Sequence, residues 1–153
     1  MAITLKVQIL GITKPPCWRR IVVPNDITFL DLHYAIQDAF GWSGEHLWCF
    51  HPTKYVSVGW RIKPSFEDDF FDYDSLPTSL TLFDVPFGKK FCYTYDFGDR
   101  WVHSVTPESV DDKPVESPVV IAEKGEAPEE DCGGVAAWMW LRDHPEERED
   151  GMW

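Results

Sequence analysis

Residues 3–10 alternate, with Ile3, Leu5, Val7 and Ile9 on one side and Thr4, Lys6 and Gln8 on the other. Such period-two alternation marks a half-buried β-strand. Residues 11–16 hold two prolines and read as a turn, and residues 18–23 form a second strand, so the chain opens as a hairpin with a longer loop. On that second strand Arg19 and Arg20 fall on opposite faces. Residues 27–41 change to helical period, with Leu32, Ala35, Ile36, Ala39 and Phe40 in one apolar stripe. Thr28 and Asp31 resemble a capping box, Ile27 and Leu32 are spaced as a hydrophobic staple, and Gly41 ends the helix.

Two short aromatic strands follow at 46–51 and 55–60, on either side of Pro52. Residues 63–79 are acidic and irregular, with Glu67, Asp68, Asp69, Asp72 and Asp74 punctuated by Phe66, Phe70, Phe71 and Tyr73, which should pin the stretch to the body. Residues 91–95 and 100–106 read as a second hairpin around Asp96, Phe97, Gly98 and Asp99. Residues 107–118, rich in proline and acid, read as a loop, 119–122 as a short strand and 125–130 as another loop. A last helix over 134–143 would bear Val135, Trp138 and Leu141. The pattern predicts one α+β domain over residues 1–145 and an acidic tail over 146–153. The domain would be a mixed or antiparallel sheet built from hairpins, with two main helices packed on one face.

Composition supports a single packed domain. The chain has 153 residues, of which 44% are hydrophobic and 15% aromatic, and this excludes wholesale disorder. No apolar run approaches the ~20 residues of a membrane span. The N-terminus lacks a basic region followed by an apolar core, so the expected location is cytoplasmic and off the membrane. With 26 acidic and 14 basic residues the net charge is −12, which disfavours duplex nucleic acid as a partner. The charge is uneven: residues 1–24 carry Lys6, Lys14, Arg19 and Arg20 and no acid, so a local basic patch is conceivable there. Four scattered cysteines form no CxxC pair, which excludes a zinc ribbon and leaves four reduced thiols as the expectation.

The residues with chemical capacity lie in three places. Asp96, Asp99 and His103 flank the second hairpin turn. Their plain structural reading is that the aspartates shape the turn and His103 fills a polar gap. Their functional reading is that Asp96 or Asp99 joins Glu130 or Asp131 in holding a divalent cation, with His103 shifting the preference toward a transition metal. The same five residues are the candidate catalytic groups, with Asp99, His103 and Asp131 the candidate metal ligands. Asp131 could instead cap the last helix. Cys132 as a nucleophile would need a nearby base, for which His103 is the candidate. At His46, Cys49 and His51 a strand would put Cys49 and His51 on one face and His46 on the other, so aromatic packing is preferred to a metal cluster. Trp18, beside Arg19 and Arg20, and Trp101 are candidate binding residues that could stack on a ligand.

Three segments carry a further signal: Pro15-Pro16-Cys17-Trp18-Arg19-Arg20, Tyr93-Thr94-Tyr95-Asp96-Phe97-Gly98-Asp99-Arg100-Trp101-Val102-His103 and Glu130-Asp131-Cys132-Gly133-Gly134. In this order and at these distances they resemble the plasmid pRiA-type open-reading-frame-three-like family, whose members are also labelled insertion-element passenger TnpR proteins. The resemblance spans roughly residues 3–145. It implies a compact α+β fold and an association with plasmids or mobile elements, and no established biochemistry. The chain has no serine-recombinase motif, so a resolvase activity is not implied. Members commonly have an aliphatic residue where Cys17 stands, and often two further cysteines before Glu130. Residues 119–121 and Ala127 supply none here, so a thiolate metal site formed by those cysteines in relatives would be lost.

The resulting expectation is a binding or accessory module whose partner is an unidentified protein or small ligand. The alternative is a divalent-metal-dependent enzyme acting on a phosphodiester or related substrate. No cofactor is implied apart from that candidate cation. The charge distribution predicts no measurable duplex DNA binding in a mobility-shift assay at ~150 mM salt, where repulsion by the acidic body outweighs a few phosphate contacts. Sub-micromolar, sequence-selective binding at that salt would overturn this ranking.

Overall fold

A computed structural model describes residues 1–64, 75–86 and 89–148. The chain forms β1 (Ala2–Ile9), β2 (Trp18–Pro24), α1 (Phe29–Phe40), β3 (Trp48–His51), β4 (Arg61–Ile62), β5 (Ser75–Leu76), β6 (Phe91–Tyr95), β7 (Trp101–Asp111), β8 (Val119–Lys124) and α2 (Val135–Asp143). The strands make one open sheet in the order β5-β4-β3-β6-β7-β1-β2-β8. All neighbouring pairs are antiparallel except β4 and β5, which are parallel. The protein is a single-domain α+β fold with a mixed sheet.

Alternation along the first hairpin explains the core. Leu5, Val7, Ile9, Ile21 and Val23 are buried, and they meet Phe29, Leu32, Ile36 and Phe40 of α1 in one hydrophobic cluster. Helix α1 begins as its sequence suggests, with the Thr28 hydroxyl accepting from the Asp31 backbone N–H, and ends at Gly41 with φ +71°. In the middle of the sheet the cluster is aromatic: Phe50 packs on Phe29 and Tyr93 at ring-centre distances of 5.0 and 4.7 Å.

The structure corrects several expectations. Residues 55–60 form turns and not a strand: Tyr55 and Val58 are exposed, and Gly59 has φ +83°. Strand β7 continues to Asp111, into the segment read as a loop. Pro107 lies opposite Leu5 at a register shift between Thr4 and Leu5, and a bulge is where a strand accepts proline. Asp131 does not cap α2, whose N-cap is Gly134 with no side-chain cap. Of the expected acidic tail, residues 149–153 lie outside the described residues; residues 145–147 form a short 3-10 turn, and the Arg148 guanidinium is held by Glu126 at 2.9 Å and by the Trp138 ring. The Phe66–Asp74 part of the acidic stretch, including Glu67, Asp68, Asp69, Phe70, Phe71, Asp72 and Tyr73, lies outside the described residues.

Arg19 and Arg20 do point to opposite faces, with unlike consequences. Arg19 is 5% exposed. Its guanidinium donates to the carbonyls of Ala39, Trp18, Lys124 and Gly125 at 2.8–3.2 Å and lies over the Phe40 ring. It thereby ties the end of α1, where the helix leaves unsatisfied carbonyls, to β2 and β8, and it is not available to a ligand in solvent. Arg20 pairs with Glu108 at 2.7 Å and covers the Trp18 ring, which Lys6 also approaches. Trp101 is fully buried, which removes it from the binding candidates.

The core also holds neutral histidines. His33 stacks on Trp48 at 3.9 Å, and its Nδ1 accepts from the Tyr93 hydroxyl, which in turn accepts from Gln37. His103 is fully buried, packed against Phe40, Trp42 and Tyr93, with Nδ1 on the Tyr93 carbonyl. Burial lowers the pKa of each ring to about 4. In the unfolded chain these rings protonate near 6.5, so the unfolded state takes up protons first as pH falls. Stability should therefore level off above about pH 6.5 and fall as pH drops from about 6.5 to about 4, by up to about 1.4 kcal/mol per pH unit for each histidine. Urea unfolding across that window checks this, and a flat profile would show that the rings protonate freely in the fold.

Candidate functional site

The chemistry-bearing residues gather at the end of the sheet where β6 turns into β7. The turn itself is built by Asp96. Its backbone has φ +62°, a region that Asp tolerates better than most residues, and its Oδ1 accepts from the N–H groups of Gly98 and Asp99 at 3.0 and 3.3 Å. The Asp96 backbone N–H bonds the Leu47 carbonyl, which brings the segment before β3 alongside.

The segment leading into α2 is laid back over this turn. Gly133 N–H donates to Asp99 Oδ2 at 3.1 Å. Gly134 approaches so closely that an added Cβ would stand 2.8 Å from the Asp99 carbonyl oxygen, and its φ is +102°. Glu130 is fixed by the Tyr95 hydroxyl at 2.6 Å and by the Ser43 N–H and hydroxyl at 3.0 and 2.8 Å. Burial alone would raise the Glu130 pKa, but these hydrogen bonds outweigh it and hold the carboxyl below its ordinary value. Burial, with the hydrogen bond to Glu130, pushes Tyr95 up to about 12. Glu130 is therefore an ionised clamp and not a proton donor. Trp42 completes the packing: its ring stacks between Phe40 and Tyr95, and its N–H donates to the Pro128 carbonyl.

Among the described residues this folding-back produces one cluster with metal-ligating capacity. His46, Asp96 and Asp131 each offer an atom, and the three atoms lie within 4.8 Å of one another. His46 Nε2 is 2.9 Å from Asp131 Oδ1 and 3.6 Å from Asp96 Oδ2. The nitrogen is shielded from solvent, yet it completes no hydrogen bond with either carboxylate. Asp131, like Asp96, has a left-handed backbone, with φ +60°. The His46 ring is held edge-on by Tyr95 at 5.6 Å.

Of the five sequence candidates, the structure brings Asp96 and Asp131 to the cluster. Asp99 and Glu130 support it from the side. His103 is in the core, and Cys132 is half-buried with its thiol pushed up by burial, so the proposed base and nucleophile have the wrong surroundings for catalysis. The imidazole of the site is His46, which strand alternation assigned to packing. It precedes β3 and is not part of its alternation. Cys49 and His51 are buried, with His51 bonded to Thr94.

This geometry defines a small α+β domain with a polar cluster assembled from three distant segments. The chain belongs to the family described as plasmid pRiA4b ORF-3-like protein, which it matches over residues 1–152. It is 36% identical over 134 residues to the uncharacterized protein y4hQ of Sinorhizobium fredii, a match covering 86% of this chain and 66% of that protein. The chain thus spans just under two thirds of that relative's length. It also resembles the crystal structure of MM3350, a protein of unknown function from Methanosarcina mazei Go1, with a TM-score of 0.80 and 34% identity. That likeness covers 99% of this chain and 85% of the other.

The close approach at Gly134 generates a direct expectation. Gly134→Ala should cost about 1–3 kcal/mol in urea unfolding, from a strained φ together with the clash on Asp99. Gly41→Ala, also at positive φ but facing open space, should cost less. Equal losses would mean that the turn does not constrain the returning segment.

Proposed function

We propose that the chain is a binding module whose His46, Asp96 and Asp131 take a divalent cation. The observation that supports this is the arrangement around His46 Nε2, enclosed beside two carboxylate oxygens without a hydrogen bond to either. A cation seated between the imidazole nitrogen and the two carboxylate oxygens turns this close approach into coordination. At metal–ligand bonds of about 2.1 Å, adjacent octahedral ligands stand about 3.0 Å apart, close to the shorter of the two observed separations. Asp131 is exposed and can rotate to close the set. One imidazole with two carboxylates suits Mn²⁺, Zn²⁺ or Co²⁺ better than Mg²⁺ or Ca²⁺.

Three protein ligands leave coordination positions open, and this favours a second reading, hydrolysis of a phosphodiester by metal-bound water. In the binding reading, an oxyanion of a ligand or partner protein occupies those positions. The association with plasmids or mobile elements rests on the family's name alone, and a cytoplasmic location remains part of the proposal. Among the described residues no helix is long and apolar enough to cross a membrane.

Thermal melting with each ion tests the cation. Mn²⁺ or Zn²⁺ at 100 times its Kd should stabilise the fold by about 2.7 kcal/mol. His46→Gln and Asp131→Asn should remove the shift while leaving the metal-free protein folded. No shift with any of these ions at millimolar concentration would reject the cation. Metal-dependent cleavage of bis-p-nitrophenyl phosphate, lost in the same variants, would favour the enzyme over the binding module.

A further inference from the structure

A groove of ≈ 740 Å³ runs between α1 and the outer end of the sheet, apart from the His46 cluster. Its floor is apolar: Ile21 and Val120 are cross-strand neighbours on β2 and β8, and Ala35 comes down from α1. Its rim is acidic, formed by Asp26, Asp31, Asp38 and Glu116, with no Lys or Arg among the lining residues. All four carboxylates are exposed, and none is in an ion pair among the described residues.

Two details set this groove apart from ordinary acidic surface. Asp38 lies in the last turn of α1, which holds no basic residue. A carboxylate there does nothing for the negative end of the helix, which the Arg19 guanidinium serves through the Ala39 carbonyl. The groove also adjoins an open edge, because among the described residues β8 ends the sheet and pairs only with β2. That edge exposes Val119, Val120 and Ile121 at 46%, 43% and 56%, and such an edge is a template for an added strand.

We infer that β8 and this groove dock an extended basic segment of a partner protein, which adds a strand to β8 and lays alternate Lys or Arg side chains into the groove. In an extended strand alternate side chains repeat every ~6.8 Å. Asp31 and Asp38, seven residues apart, share one face of α1 and are about 10.5 Å apart along its axis. The difference of ~3.7 Å lies within the swing of a flexible lysine stem, so two successive inward-facing lysines can take one carboxylate each, and their stems cover the exposed Val120. Charge decides the occupant. A second copy of this chain would bring its own β8 and acidic rim against these, and like charges there would oppose it.

Fluorescence anisotropy with a labelled, end-blocked peptide of alternating Lys and Val tests the inference. The peptide should bind at low salt and weaken at ~150 mM salt, where exposed charges are screened beyond about 8 Å. The Glu-Val counterpart should not bind. Asp38→Asn with Glu116→Gln should reduce affinity about tenfold without lowering the melting temperature. Val120→Lys, which puts a cation on the groove floor, should abolish binding. Equal binding by the Glu-Val peptide, or affinity unchanged in both variants, would overturn the proposal. So would displacement by spermine as effective as by the peptide, which would make the groove a small-cation site, or dimerisation of the free protein that Val120→Lys disrupts.

Discussion

The bond between the Gly133 N–H and the Asp99 carboxylate, with Gly134 pressed on the Asp99 carbonyl, is the contact on which the polar end of the molecule depends. It holds the segment after β8 against the β6–β7 turn. Once that segment is in place, Glu130 meets Tyr95 and Ser43, Pro128 accepts from Trp42, and Asp131 meets His46. Neither glycine tolerates a side chain without strain, because both have φ beyond +100°. Two of the three segments on which the family resemblance was read, Tyr95-Asp96-Phe97-Gly98-Asp99 and Glu130-Asp131-Cys132-Gly133-Gly134, are thus the two faces of one contact.

Much of the fold was legible because burial imposes a period. Alternation marked β1 and β2, and the helical stripe with Thr28 and Gly41 marked α1 to within two residues at either end. The failures have equally physical origins. The far half of β7 hides from pattern reading because its residues from Glu108 to Asp111 are exposed and Pro107 sits at a bulge. Residues 55–60 are aromatic and β-branched, yet Tyr55 and Val58 face solvent in a turn. Propensity there is overridden by Gly59, whose would-be Cβ lies 2.4 Å from the Pro52 ring.

The candidate site was half legible. Asp96 and Asp131 stand in turn-forming, glycine-rich contexts that drew attention to them. His46 carries no local signal: it lies outside a strand, and its meeting with Asp131 depends on contacts between segments 85 positions apart. His103 drew attention by standing near the aspartates in sequence, but on β7 it alternates with Val102 and so turns inward with Trp101. The N-terminal cations were misleading in the same way. Arg19 is consumed by backbone carbonyls and Arg20 by Glu108, so little of the local positive charge is free to meet a ligand.

The buried Arg19 links synthesis to structure. Its guanidinium cannot be left unpaired inside the protein, and two of its four carbonyl partners, on Lys124 and Gly125, are made a hundred residues after it. The first hairpin and α1 leave the ribosome early, yet until β8 emerges they offer this cation only two of its four carbonyl partners, those of Trp18 and Ala39. A nascent chain stalled before residue 119 should therefore hold β2 loosely and remain a target for chaperones, however good its local hydrophobic pattern.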